Sequence, residues 1–334
     1  MMRVRLVAAL LVLGVAVALA ALAWPQGFGL ARAPITAHAV ALRAVSAIGA
    51  CVIAIGFVVL AARARPVRML GASLAVLLVA FAAVTSTISL DRGTNSTVVT
   101  DLADDVTVLT WNTLGDAPGA AGIAELVLRE EADIVSLPET SRELGEEVAA
   151  LIEADRPMTV LALDYGGETS RSTTLLVSAT LGDYRIDEDA PATAVLPTLV
   201  AVPVDGTGPT IVAVHTLAPI PPMIAAWQAD LRIVASMCSS ESVILAGDFN
   251  ATVDHFAGMG TLPMAQLGRC SDAALAGGAA GIGTWPTWLP PELGSPIDHV
   301  LATPNWRLLA VRVATADALG SDHRALIVQL DPPG

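Results

Sequence analysis

Three apolar runs open the chain, at about residues 6–24, 39–60 and 69–88, and beyond them short apolar stretches alternate with polar ones. Each long run approaches the roughly 20 residues that cross about 30 Å of hydrocarbon as a helix. Residues 1–90 therefore read as a membrane anchor of three transmembrane helices. A cleaved signal peptide beginning at Arg3 and Arg5 is the alternative for the first run, and it leaves the other two unexplained. Residues 91–103 are polar and read as a linker. From 104 to 332 the period changes. Strand-like runs fall at 106–110, 133–137, 158–162, 172–178, 193–204, 210–215, 242–246, 296–302, 307–314 and 323–329. Helical spacing places Ile123, Leu126 and Val127 on one side of 120–131, residues 223–237 repeat the pattern, and Ser141 is a cap for a third helix. Strands interleaved with helices at this frequency predict a layered α/β domain.

Charge sharpens the division. Residues 1–90 hold seven arginines and no acidic residue, which leaves eleven arginines against all thirty-two acidic residues in the remainder, near −21 for that part. Such a domain is repelled by nucleic acid and anionic lipid unless a bound cation inverts the local field. Arg3, Arg5, Arg63, Arg65 and Arg68 lie on one side of the three spans, and Arg32 and Arg43 on the other. The positive-inside rule then puts the amino terminus in the cytoplasm and the acidic domain outside. Arg43 sits slightly inside the second run and has to snorkel to the outer interface. Cys51 reads as a small packing residue of the same span.

Polar residues cluster where very apolar strands stop. Several strand ends carry them, where a sheet holds backbone firmly and side chains converge on a crevice, and distant Asn112, Glu139, His215, Asp248, Asn250 and Asp322 can meet there. A set of carboxylate and amide oxygens with histidines nearby suits a hard cation, Mg²⁺ or Mn²⁺, rather than zinc held by sulfur.

Six blocks then occur in one order: Thr110-Trp111-Asn112; Leu137-Pro138-Glu139-Thr140; His215; Gly247-Asp248-Phe249-Asn250; Ile297-Asp298-His299; and Ser321-Asp322-His323-Arg324. In this the chain resembles the endonuclease/exonuclease/phosphatase (DNase I-like) superfamily, as a membrane-anchored member of bacterial type, over roughly residues 104–332. The resemblance implies a four-layered α/β sandwich with two central mixed β-sheets. It implies that Glu139 is the main ligand of Mg²⁺, with Mn²⁺ as substitute, and that Asn112 and Asp322 stand beside the metal. It makes Asp248 the group that orients and deprotonates the attacking water, assisted by Asn250. His323 becomes the phosphate-facing histidine with Asp298 as partner, and His215 a second phosphate-binding histidine.

Other residues carry weaker signals. His299 adjoins Asp298, so on an extended strand it faces the opposite way and reads as structural. Arg171, His255, Trp285 and Trp288 are possible substrate contacts; a rim ion pair (Arg171) or ordinary packing is the competing explanation. In an exported domain Cys238 and Cys270 are a possible disulfide closing the loop around the Gly247–Asn250 strand end, against two separate thiols.

The expected activity is a metal-dependent phosphoesterase outside the cytoplasm, first a nuclease or nucleotide phosphodiesterase. A phospholipid- or sphingomyelin-type phosphodiesterase or a phosphatase is the alternative, and a tethered extracellular binding module the non-enzymatic one. Expected partners are a phosphate-ester substrate, either extracellular nucleic acid or a lipid head group, and the bilayer through residues 1–90. No protein partner follows from the sequence.

Overall fold

A computed structural model describes residues 2–95, 105–314 and 319–332, and the chain divides into two compact units, 1–92 and 93–334. The part of the expected linker at 96–103 lies outside the described residues. Its beginning does not stand free, because Asn95 N donates to Gly278 O and Gly281 N to Gly93 O within the second unit.

The first unit comprises α1 (Met2–Ala23), the short α2 (Pro34–Ala41), α3 (Arg43–Arg63) and α4 (Arg68–Asp91). Three helical segments, Arg5–Ala23, Arg43–Arg63 and Arg65–Asp91, are long and apolar enough to cross a membrane. They associate this chain with the membrane as a multi-pass protein. α3 and α4 pack through small residues. Ala47, Ala50, Ala54 and Ala61 are buried, and a Cβ on Gly71 would sit 3.1 Å from Phe57 O. Such residues let apolar helices approach where water supplies no driving force. Three expectations need correction. The second apolar run is not one helix from residue 39, because the chain breaks at Leu42 and α3 starts at Arg43. Arg43 is consequently buried rather than snorkelled, and its Nη1 donates to Ala23 O at 2.9 Å, a carbonyl left over at the end of α1. Cys51 faces outward from α3 instead of packing within the bundle.

The second unit has two six-stranded mixed sheets. The first consists of β1 (Val106–Thr110), β2 (Ile134–Pro138), β3 (Met158–Asp164), β4 (Ser172–Ser178), β11 (Arg307–Val313) and β12 (Leu326–Asp331), in the order β11-β12-β1-β2-β4-β3. The second consists of β5 (Tyr184–Ile186), β6 (Leu199–Pro203), β7 (Thr210–His215), β8 (Val243–Asp248), β9 (Ser271–Asp272) and β10 (Asp298–Ala302), in the order β5-β6-β7-β8-β10-β9. Each sheet has one parallel pair, β1–β2 and β7–β8, and antiparallel neighbours elsewhere. A parallel pair needs a crossover, and α5 (Gly119–Arg129) and α7 (Ile224–Met237) supply them on the outer faces. α5 and α6 (Arg142–Ile152) bury Ile123, Val127, Val148 and Ile152 against Leu109, Val135 and Leu176. Each such side chain contributes about 1.5–3 kcal/mol over its exposed state. Ser141 caps α6 by accepting from Leu144 N. The layering is helix, sheet, sheet, helix.

The 193–204 run is a strand only from Leu199. Pro197 has no N–H to give a ladder, and Thr193 Oγ1 donates to Leu196 O and accepts from Thr198 N, turning the chain. The last strand likewise begins at Leu326, which leaves His323 in the loop before it.

Topology concentrates the chemistry at one rim. β1, β2, β7 and β8 end there, while the antiparallel β10 and β12 begin there. Asp298 is paired with Asp248, and His215 with Asp248, in the strand register. Gly247 lets β7 and β8 close up at this point, since a Cβ would lie 1.9 Å from Val214 O.

Candidate active site

Backbone ties bring the separate blocks together. Trp111 N donates to Ser136 O and Thr113 N to Pro138 O, so the chain beyond β1 lies against the end of β2. The buried Trp111 indole donates from Nε1 to His323 O at 2.9 Å. Ser321 Oγ donates to Asn112 O and accepts from His323 N. Thr284 Oγ1 accepts from Ile297 N and Asp298 N at the start of β10. Glu139 and Asn250 adopt left-handed backbone conformations, with φ of 57° and 46°. These are sparsely populated for residues other than glycine and persist only where surroundings impose them.

Asn112 stands between the sheets. Its Nδ2 donates to Glu139 Oε1 and to Asp248 Oδ2, both at 3.1 Å, while its Oδ1 accepts from Leu114 N at 3.0 Å. The amide therefore turns its NH₂ toward the acids. Here its oxygen accepts from a backbone N–H and its NH₂ bridges two carboxylates.

Asp248 is 2% exposed. Its Oδ1 accepts from Asn250 N at 2.8 Å, and its Oδ2 accepts from Asn250 Nδ2 as well as from Asn112. Burial, and then the charge of Asp298, push the Asp248 carboxyl up. His323 donates from Nδ1 to Asp298 Oδ2 at 2.9 Å, and its Nε2 lies 3.9 Å from both Asp248 Oδ2 and Asp322 Oδ1. Burial lowers the affinity of this ring for a proton. The Asp298 charge and hydrogen bond, with Asp248 and Asp322, outweigh it and raise His323 to about 9. His215 is the converse case, lowered to about 3 by burial and then by the His323 charge, so it is neutral, with Nε2 3.9 Å from Glu139 Oε1. Burial also raises Glu139, although 20% of its side chain remains accessible.

The donor set fits a hard cation. Asp248, Asp298 and His323 form a candidate three-ligand cluster, one ligand atom from each within 4.8 Å of the others. Among the described residues, Asp298 Oδ1 and Asp322 Oδ1 are buried oxygens without a hydrogen-bond partner, which such a cation or a bound group would satisfy. Asp322 Oδ2 accepts from the Trp285 indole at 2.9 Å.

The remaining expected residues separate. Trp285 adjoins the site through that bond, and Trp288 is 77% exposed three residues on. Arg171 precedes Ser172, whose carbonyl accepts from Glu139 N, and is partly buried. His255 lies away from the surface. It is fully buried, its ring edge-on to Trp227, and its Nδ1 accepts from Thr252 N at 2.7 Å. Cys238 and Cys270 are joined in a disulfide with Cα atoms 6.0 Å apart. Sequence reasoning gave no part to Arg324, whose buried guanidinium donates to the carbonyls of Gly283, Pro286, Thr287 and Leu289 and so holds the Trp285 loop. Its place directly after His323 was the only signal.

Fold and site together define the phosphoesterase architecture with a candidate metal cluster, an arrangement consistent with metal-dependent, nuclease-type phosphoester hydrolysis. The Endonuclease/Exonuclease/phosphatase family matches residues 109–323, and the chain belongs to that family. None of the curated proteins compared with the chain matches it. Among solved structures, an endonuclease/exonuclease/phosphatase from Beutenbergia cavernae is similar at 22% identity, covering 69% of this chain and 72% of that one with a TM-score of 0.50. One from Bacteroides vulgatus is similar at 16% identity, 69% and 99% coverage and TM-score 0.51. D. rerio TDP2, in complex with a single strand DNA product, is similar at 16% identity, 68% and 99% coverage and TM-score 0.52. These likenesses concern the fold.

Proposed function

We propose that residues 104–332 are the catalytic domain of a membrane-held phosphodiesterase that acts outside the cytoplasm on nucleic acid or nucleotide diesters. The observation that carries this reading is the setting of Asp248. It is an enclosed carboxylate gripped by the Asn112 and Asn250 amides and 3.9 Å from a histidine kept charged by its own aspartate. A carboxyl raised toward neutrality is suited to accept a proton from water. Asp248 takes that proton as the water attacks phosphorus in line, with both amides fixing the direction of its lone pairs. His323 donates from Nε2 to a non-bridging oxygen as charge develops there, and Asp298 keeps the ring oriented and protonated. His215, neutral, offers a hydrogen bond without adding charge.

Glu139 and Asp322 would hold Mg²⁺ or Mn²⁺, since they are the more accessible acids of the site and a protonated imidazole is a poor ligand. When bound, the cation neutralises the phosphate and assists the leaving alkoxide. The arginine asymmetry supports an outward-facing domain. A carboxyl-terminal reporter active only outside the cytoplasm should give signal, and a strictly cytoplasmic signal would reverse the orientation. The activity is tested with the full chain in detergent on a panel of DNA, RNA, phospholipid and phosphomonoester substrates, with and without chelator. Chelator-sensitive cleavage of nucleic acid is expected. Preference for the lipid would move the substrate to the head-group class, and hydrolysis indifferent to exhaustive chelation would overturn the metal-dependent mechanism.

A further inference from the structure

On the outer side of the second sheet, away from the reacting groups, His299 is completely enclosed. It follows Asp298 on β10 and is the strand partner of Gly247, so its ring lies beneath the turn that carries Asp248 and Asn250. Nδ1 donates to Asp272 Oδ2 at 2.7 Å, and Nε2 donates to Ala251 O at 2.7 Å. The Ala251 carbonyl can only accept, so Nε2 carries hydrogen, and with Asp272 as a carboxylate Nδ1 carries one as well, which makes the ring an imidazolium. Its edge also meets Phe249, at 5.4 Å between centroids and 88° between planes. Phe249 and Ala251 are the residues on either side of Asn250.

The other end of this contact is equally fixed. Asp272 Oδ1 accepts from Leu275 N, and its own N–H donates to Gln266 Oε1 at 2.7 Å. Two residues earlier, Cys270 is bound to Cys238 at the end of α7. A covalently anchored carboxylate thus holds a cation that holds the main chain beyond Asn250. That main chain needs holding. Asn250 is left-handed, and its amide must face Asp248 Oδ2 and Thr216 O together. A buried pair of this kind adds little net stability, because desolvation offsets its attraction, but it defines one geometry.

We propose that His299, clamped by Asp272, is a positioning residue that sets the Phe249–Ala251 turn and through it the directions of Asn250 and Asp248. The proposal rests on the reading of Asp248 and Asn250 as catalytic groups. A misplacement near 1 Å in such a turn is enough to cost up to about 100-fold in rate.

The test uses the full chain in detergent with bis(p-nitrophenyl) phosphate, comparing His299→Leu, His299→Gln and Asp272→Asn, together with amide hydrogen exchange read by mass spectrometry on peptides from 249–255, β2 and β12. For His299→Leu, kcat per folded enzyme should fall roughly 10- to 100-fold with KM within about twofold. Exchange should accelerate in 249–255 and not in the other peptides. His299→Gln keeps an amide donor for Ala251 O and should recover most of kcat, with Asp272→Asn in between. Unchanged kcat in the folded Leu variant, or exchange raised equally in all peptides, would overturn the proposal by reducing His299 to core packing. Should His299→Leu fail to fold, the Asp272→Asn kcat and exchange pattern decide on the same criteria. If the wild-type protein hydrolyses no phosphoester, the proposed function fails; selective exchange still supports the positioning role, and its absence still overturns it.

Discussion

The ends of the two sheets use the same residue types but face water differently. On the first sheet, Glu139 keeps 20% of its side chain accessible, and Asp322, in the loop leading to β12, keeps 36%. On the second sheet, Asp248 and Asp298 are each 2% exposed and His215 1%. Groups that exchange an ion with solvent belong on the open side, where a carboxylate can be hydrated between turnovers. Groups whose protonation has to be fixed belong on the closed side, where burial and neighbouring charge set it. Asn112 and His323 cross between the two, one bridging Glu139 to Asp248 and the other reaching Asp298 from the first sheet. Under the proposed roles, identical side chains acquire separate tasks from depth together with neighbouring charge.

The sharpest way to break that comparison is at the crossing. His323→Ala should lower turnover about 100-fold or more, the scale of a lost electrostatic or proton-donating group, while metal affinity measured by calorimetry changes little. Asp298→Asn should be a milder version of the same defect. The double variant should lose much less than the product of the two, because they act as one unit. Full activity in His323→Ala, or strictly additive losses, would show that the pair has been misassigned. The open side should fail differently. Glu139→Gln is expected to weaken Mg²⁺ binding about tenfold or more and to regain part of its turnover at high Mn²⁺. An unaltered metal titration in that variant would move the ion to the Asp248, Asp298 and His323 cluster and erase the division between the rims.

Much of this was readable along the chain, for a definite reason. β1, β2 and β8 are short, wholly buried and rich in apolar residues, and each runs into a polar residue, Asn112, Glu139 or Asp248, so pattern and chemistry mark the same boundary. Where the signals disagree, reading failed. Residues 193–198 are apolar enough for a strand, but Pro197 and the Thr193 side chain convert them to a turn. β5 and β9 are too short to show a period. The amide direction of Asn112 depends on Leu114 N, a local contact that no spacing reports. His255 stands five residues after Asn250 and still turns into the core against Trp227, because one-dimensional nearness does not tell which face of a turn a side chain takes. Arg324 shows the reverse. No spacing or period assigns it a part, yet its four carbonyl acceptors make it part of the scaffold.

The smallest effect concerns the scaffold behind the closed rim, and it separates fixed protonation from simple burial. Burial opposes the charge on His299, but the Asp272 carboxylate and the Ala251 carbonyl prevail, and the ring is raised above the ordinary histidine value of about 6.5. A group raised in the folded state binds its proton more tightly there than in the unfolded chain. Its stabilising contribution is therefore complete below about pH 6.5. It declines as pH rises from there and is lost once the folded-state value has been passed, with a slope of at most about 1.4 kcal/mol per pH unit for one proton. His299→Gln removes this linkage and leaves His323 and the acids to titrate as before. The difference in thermal midpoint between wild type and His299→Gln should hence be largest near pH 6 and shrink toward about pH 9. A difference that stays constant over that interval would mean that His299 is neutral in the folded protein. In that case the proton of the pair sits on Asp272, or that hydrogen bond is not made, and no buried ion pair holds the turn behind the closed rim.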